Sequence, residues 1–262
     1  MAEDSMITSA FGLVLALMIP LSLFAAFYCK KNSQDLKNPL GDTVQLYLPA
    51  NWTLVLLAVI CILPLIPGLG LLTPVLILLF IIYTMQLQNI DFRKLWLGQD
   101  EKFLFYIRWT VIIYLAIFTP ILIITLSSQG ILEAFNVEIE PQQTVEMFLQ
   151  MEELAQMLIF IFFACIWAPI FEEILFRGFL YPLLKARFNK KIALVSSSVL
   201  FGFIHLHLPS IVPLTMLGVV LCFVYEYSGR LILSIMIHAL FNLVTILILL
   251  LSLSLGLDLQ SV

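Results

Sequence analysis

The chain predicts an all-α, polytopic integral membrane protein, with about eight transmembrane helices enclosing a polar cavity within the bilayer. Three observations carry this expectation. Of the 262 residues, 62% are hydrophobic and 11% charged, a balance outside that of ordinary soluble domains. Apolar runs of the ~20 residues needed to cross a bilayer recur along nearly the whole length. In the later runs, ionisable side chains interrupt segments otherwise fit for lipid, and such residues mark functional sites by default. One membrane domain, 1–262, uses the chain up, with little left for a folded soluble domain.

The apolar runs fall near 6–28, 46–66, 69–87, 104–127, 155–184, 192–208, 210–227 and 231–255. The first follows Met1 to Ser5, which lacks the basic region of a signal peptide, so it reads as a permanent anchor. The second and third are separated only by the turn formers Pro67, Gly68 and Gly70, which indicate a tight hairpin; without it the count is seven. Between the fourth and fifth lies the longest outer loop, 128–150, an acidic segment read as solvated or as an interfacial helix.

The basic residues test this division, because Lys and Arg gather in cytoplasmic loops. With the N-terminus outside, Lys30, Lys31 and Lys37 fall in the first inner loop, and Arg93, Lys94 and Lys102 in the second, with Arg108 opening the next helix. Lys185, Arg187, Lys190 and Lys191 occupy the third and Arg230 the fourth. The outer loop carries Glu133, Glu138, Glu140 and Glu146 and no basic residue. Both termini are therefore expected outside. The net charge of −4 comes with no basic block, which excludes nucleic acid as a partner and leaves membrane lipid. Cys29, Cys61, Cys165 and Cys222 form no CxxC pair and read as helix-packing residues.

Glu172, Glu173 and Arg177 lie in one apolar run, and His205 and His238 in two later ones. At ~1.5 Å of rise per residue, Glu172, 13 residues before Lys185, and His205, 14 after Lys191, share a depth of ~20 Å from the basic markers. His238, eight residues after Arg230, comes to ~12 Å, so the three converge on the cytoplasmic half of the bilayer. Glu173 and Arg177 stand at i and i+4 as a natural ion pair, while Glu172 points about 100° away and is left for general-base work. Phe201 precedes His205 by one turn and can shield its imidazole, whereas His207 faces the other way and reads as an interfacial or loop histidine. His238 and Asn242 again stand at i and i+4, so the amide can orient the imidazole or donate to a developing oxyanion.

Two chemistries fit a carboxylate, two histidines and an amide. Glu172 and His205 can activate water directly, with His238 and Asn242 stabilising the oxyanion. Alternatively, Glu172, His205 and His238 can ligate Zn²⁺, which lowers the pKa of a bound water. No HExxH is present, which weakens the metal reading; metal-independent or metal-optional chemistry is preferred, with Zn²⁺ the one cofactor considered.

These residues form three motifs: EExxxRG from Glu172 to Gly178, FxxxH from Phe201 to His205, and HxxxN from His238 to Asn242. In this order and spacing the chain resembles the CAAX prenyl endopeptidase type II and bacteriocin-processing intramembrane proteases, known as CPBP or Abi. The resemblance covers about 155–245 as the catalytic core, while 1–150 is similar only in being several membrane spans. It implies a multi-helix fold with a conical cavity and peptide-bond cleavage near the membrane. Glu172 would activate water, with His205, His238 and Asn242 as partners and Glu173, Arg177 and Phe201 in support. It also implies a membrane-associated protein or peptide as substrate, either a prenylated CAAX-type protein or a bacteriocin or leader peptide, and a prokaryotic cell membrane as the setting. The alternative is a self-immunity or scaffold protein with weak or lost catalysis. A transporter is disfavoured because no inverted repeat is visible.

Overall fold

The computed structural model describes residues 2–37, 72–90, 102–137 and 139–254; within 2–15 and at 72 only the backbone is described. Every regular element among them is helical: α1 (Ala2–Lys31), α2 (Leu72–Leu87), α3 (Phe103–Ala134), α4 (Gln143–Leu149), α5 (Leu154–Arg187), α6 (Lys190–Phe203), α7 (Leu208–Ser228) and α8 (Leu231–Ser254). Four are long and apolar enough to cross a membrane, namely α3, α5, α7 and α8. The molecule is therefore a helical integral membrane protein. The expected span 46–66 and the Pro67–Gly70 hairpin lie outside the described residues, and eight spans are not established.

Two expected boundaries are corrected. The run 192–208 is not one helix: α6 has 14 residues, about 21 Å at 1.5 Å per residue, short of a ~30 Å hydrocarbon core. It stops because Leu206 turns left-handed, φ 50°, a conformation costing a non-glycine residue roughly 1–2 kcal/mol. That cost is offset by polar bonds from the histidines on either side. The loop 128–150 also begins later than expected, and the helical alternative read in it is present as α4. α3 runs on to Ala134, and α4 buries Phe148 against Phe160, with ring centroids 5.1 Å apart.

The helix ends sort by charge. At one end Arg108 meets Asp35 at 3.5 Å, buried Arg230 donates to the Leu36 carbonyl at 3.1 Å, and Lys185 and Lys190 both reach Glu226. The start of α3 thus shares an end with the α1 terminus, the α5–α6 turn and the α7–α8 turn. At the opposite end His207 Nε2 donates to the Glu140 carbonyl at 2.8 Å, while its Nδ1 accepts from Ser210. His207 is a loop residue capping α7, as expected. The α7–α8 connection is only Gly229 and Arg230, made possible by the left-handed φ of 66° at Gly229.

In a membrane there is little hydrophobic force between helices, so small and polar residues carry the packing. Ser22 joins α1 to α3 by donating to the Leu115 carbonyl at 2.6 Å and by an oxygen–oxygen bond of 2.8 Å with Thr119. α6 and α7 approach still more closely. A Cβ on Gly202 would fall 2.6 Å from the Ile211 carbonyl oxygen, and one on Gly218 would fall 3.1 Å from Ser198 Cα.

α5 is continuous, as the run 155–184 predicts, but it contains two π turns, Phe163–Trp167 and Ile174–Leu180. Each is followed two residues later by a proline, Pro169 or Pro182. Proline lacks an N–H and its ring crowds the carbonyl four residues back, so local widening of the helix relieves both problems. Glu172 and Glu173 lie between the two widened turns.

Candidate active site

Glu173, Arg177 and His238 form the buried floor of the site. Arg177 Nη1 donates to Glu173 Oε1 at 2.8 Å, and both side chains are fully buried, which bears out the expected i, i+4 pair. The same Oε1 lies 2.9 Å from His238 Nδ1. This corrects the role expected of Asn242: the imidazole of His238 is oriented by Glu173, not by the amide one turn further along its own helix. A carboxylate already held by a guanidinium accepts from Nδ1–H and turns Nε2 towards the cavity.

Arg177 has a further anchor that the sequence reading missed. Its Nη2 donates to the Gly218 carbonyl at 2.9 Å. Gly218 can offer that carbonyl because its missing side chain lets α7 lie against Ser198 of α6. A glycine facing a serine-rich helix was the available signal, but an isolated glycine in an apolar run has no motif to announce it.

Asn242 donates from Nδ2 to the Ala164 carbonyl at 2.8 Å. Proline explains why that carbonyl is available. The Ala168 N–H is taken by the Phe163 carbonyl, and the next donor along the helix would be residue 169, which is proline. The Asn242 amide replaces the missing donor and ties α8 to α5. Its second N–H hydrogen remains for other work.

His205 sits just past the end of α6, where its Nδ1 donates to the Phe201 carbonyl at 2.8 Å, the bond the next helical N–H would have made. A carbonyl only accepts, so Nδ1 carries the hydrogen and Nε2 presents a lone pair. Phe201 is completely buried and touches His205 and His238 edge-on and Arg177 by its face. Its ring centroid is 5.2 Å from that of His205 and 5.5 Å from that of His238, and the Arg177 guanidinium carbon lies 4.6 Å from it. It fixes the planes of both imidazoles as well as shielding them.

Glu172 completes the cluster. Its Oε2 lies 3.9 Å from His205 Nε2 and 3.8 Å from His238 Nε2, and it makes no hydrogen bond within the protein although it is buried. Three residues separated by 33 positions or more in sequence thus face one point, as their common depth predicted. Both gaps are too long for direct hydrogen bonds. A water beside Oε2 could bridge it to an Nε2 across either gap.

Glu172, His205 and His238 also supply the carboxylate and two imidazoles of a catalytic zinc donor set. Adjacent donors on tetrahedral zinc, at bonds of ~2.0–2.1 Å, stand roughly 3.3 Å apart. Here both Nε2 atoms are about half an ångström further from Oε2. Among the described residues no group of three His, Cys, Asp or Glu is arranged to hold a metal ion. The donor types fit zinc, and the three groups would close by about half an ångström to hold it.

A membrane bundle that gathers two glutamates, two histidines and an asparagine from two helices and the end of a third has the parts of an intramembrane hydrolase. Residues 154–244 match the family model of the Rce1-like type II CAAX prenyl endopeptidases, bearing out the resemblance carried by the three motifs. The matched segment, about a third of the chain, is that of a peptidase family; it begins with α5 and leaves α1 to α4 outside. No curated protein and no solved structure matches the chain.

Proposed function

We propose that the chain is an intramembrane endopeptidase that hydrolyses a peptide bond of a membrane-associated protein or peptide, using water activated between Glu172 and His205. The single observation that carries the proposal is the approach of Glu172 Oε2 to both Nε2 atoms, 3.9 and 3.8 Å. The Glu172 carboxylate and the His205 Nε2 lone pair are two acceptors, so a water between them gives a hydrogen to each and turns an oxygen lone pair outward. Attack on the scissile carbonyl forms the new C–O bond, and the water proton passes to Glu172 or His205. His238, whose Nδ1–H is held by Glu173, donates to the oxyanion from Nε2 in its doubly protonated imidazolium form, together with the free N–H of Asn242. Collapse breaks the C–N bond, and the proton held by Glu172 or His205 goes to the leaving amine. Glu173, Arg177 and Phe201 position these groups.

We read the charge-sorted ends as support for a site in the cytoplasmic half of the bilayer with both termini outside, and the family resemblance as support for a prokaryotic cell membrane. If zinc were bound, Glu172, His205 and His238 would hold it, and it would supply an acidified water. The test is cleavage of a C-terminal prenylated peptide library by purified protein, compared with Glu172→Gln, with and without a strong zinc chelator. The variant is expected to lose at least about a hundredfold in turnover, in the range of general-base catalysis. Retained cleavage would overturn the assignment. Loss of cleavage on chelation, restored by Zn²⁺, would overturn the metal-free mechanism.

A further inference from the structure

His207 is the one histidine that the proposed chemistry leaves unused, and it stands two residues beyond His205. The α6–α7 turn there consists of residues 204–207 and joins helices packed in contact at Gly202 and Gly218. Such a turn has no slack. Packing does not hold its centre, because the left-handed Leu206 is 76% exposed. A strained residue of this kind persists only where neighbouring groups over-determine it. The His207 side chain supplies that constraint. Its Nε2 donates to the Glu140 carbonyl at 2.8 Å, which leaves Nδ1 to accept from the Ser210 hydroxyl at 2.6 Å. One rigid, neutral imidazole thus ties the turn both to α7 and to the segment that precedes α5.

The far partner is itself anchored. Glu140 precedes Pro141, which restricts it to extended backbone, and Phe148 of α4 is buried against Phe160 of α5. This anchor lies before the stretch 154–244 matched to the peptidase family, and none of the three motifs includes His207. On the near side, His205 is held to α6 by its Nδ1 bond to the Phe201 carbonyl and by contact with the Phe201 ring. We propose that His207 is a positioning residue for His205. By clamping the turn to the Glu140 carbonyl, it keeps His205 Nε2 one water away from Glu172 Oε2, across the gap of 3.9 Å. The inference rests on the endopeptidase reading above. If the clamp is lost and Leu206 relaxes to a negative φ while α6 and α7 stay packed, the displacement falls on the few residues between them, His205 included. A misplacement of ~1 Å near a reacting group can cost about a hundredfold in rate.

The test compares wild type with three variants of the full chain in detergent micelles, using one farnesylated C-terminal peptide. His207→Ala removes both bonds and should lower kcat at least about tenfold with KM unchanged. His207→Gln carries an amide N–H to where Nε2 stands and should recover most of that loss. His207→Asn mimics Nδ1 alone, keeping the Ser210 bond without reaching Glu140, and should behave like His207→Ala; it carries the test if His207→Ala fails to fold. A readout independent of turnover is NMR of isotopically labelled histidine rings, since the chain has only 3 histidines. In His207→Ala and His207→Asn the ring signals of His205 should move or broaden while those of His238 stay in place, and His207→Gln should restore them. His205 signals indifferent to residue 207, or a loss expressed in KM with kcat unchanged, would overturn the proposal. The expected NMR changes in a protein that cleaves no peptide at all would sink the endopeptidase reading alone, and cleavage by wild type with unmoved His205 signals would sink this one.

Discussion

Glu172 and Glu173 are chain neighbours with the same side chain, yet replacing each by glutamine should have very unequal consequences for stability. Glu173 is fully buried, with one oxygen 2.8 Å from Arg177 and 2.9 Å from His238. Glutamine there leaves the Arg177 charge unpaired in the interior, and removing one partner of a buried pair costs about 3–5 kcal/mol. The Gly218 carbonyl still accepts from Arg177 but carries no charge to oppose it. Glu172 Oε2 has no hydrogen bond to lose, and its side chain is 19% exposed. Glutamine at 172 should therefore change stability by less than about 1 kcal/mol. The assay is equilibrium unfolding in mixed detergent micelles beside peptide cleavage. Glu172→Gln is expected to be folded and inactive. Glu173→Gln is expected to be strongly destabilised and, where folded, impaired through His238. Equal destabilisation of the two variants, or a Glu173→Gln protein as stable as the wild type, would refute the division into a chemical and a supporting carboxylate.

Two further outcomes follow from the packing and the charge pattern. Gly218→Ala drives a Cβ to within 3.1–3.2 Å of Ser198 backbone and side-chain atoms, so thermal unfolding should show an overpacking cost of about 1–3 kcal/mol, with kcat reduced as the Arg177 anchor shifts. In a cysteine-free background, a cysteine at Glu146 should react with an impermeant thiol reagent from outside intact cells and one at Lys191 only after permeabilisation; labelling of both from the same side would refute the topology.

The parts of this molecule legible in sequence are those governed by periodicity and by the cost of charge in lipid. The i, i+4 pairing of Glu173 with Arg177, the placing of Phe201 beside His205 and the common depth of Glu172, His205 and His238 all depend on helix geometry over short stretches. The structure reproduces each of them. What escaped the sequence is contact between helices that no local rule connects. Nothing in HxxxN says that the asparagine reaches Ala164 rather than its own histidine, and nothing in an apolar helix singles out the Gly218 carbonyl. The end of α6 escaped for another reason. Phe203 to Leu208 is apolar enough for lipid, and hydropathy cannot detect a left-handed turn at Leu206.

The proline two residues after the first π turn bears on how this site could diverge. Because residue 169 has no N–H, the Ala164 carbonyl is open to Asn242. Any other amino acid at 169 would bring a donor from within the same helix, competing with Asn242 for that oxygen without touching the reacting groups. Position 169 can therefore set how firmly α8 is latched to α5. A lineage could loosen or tighten its asparagine by exchanging one imino acid, leaving every motif residue in place.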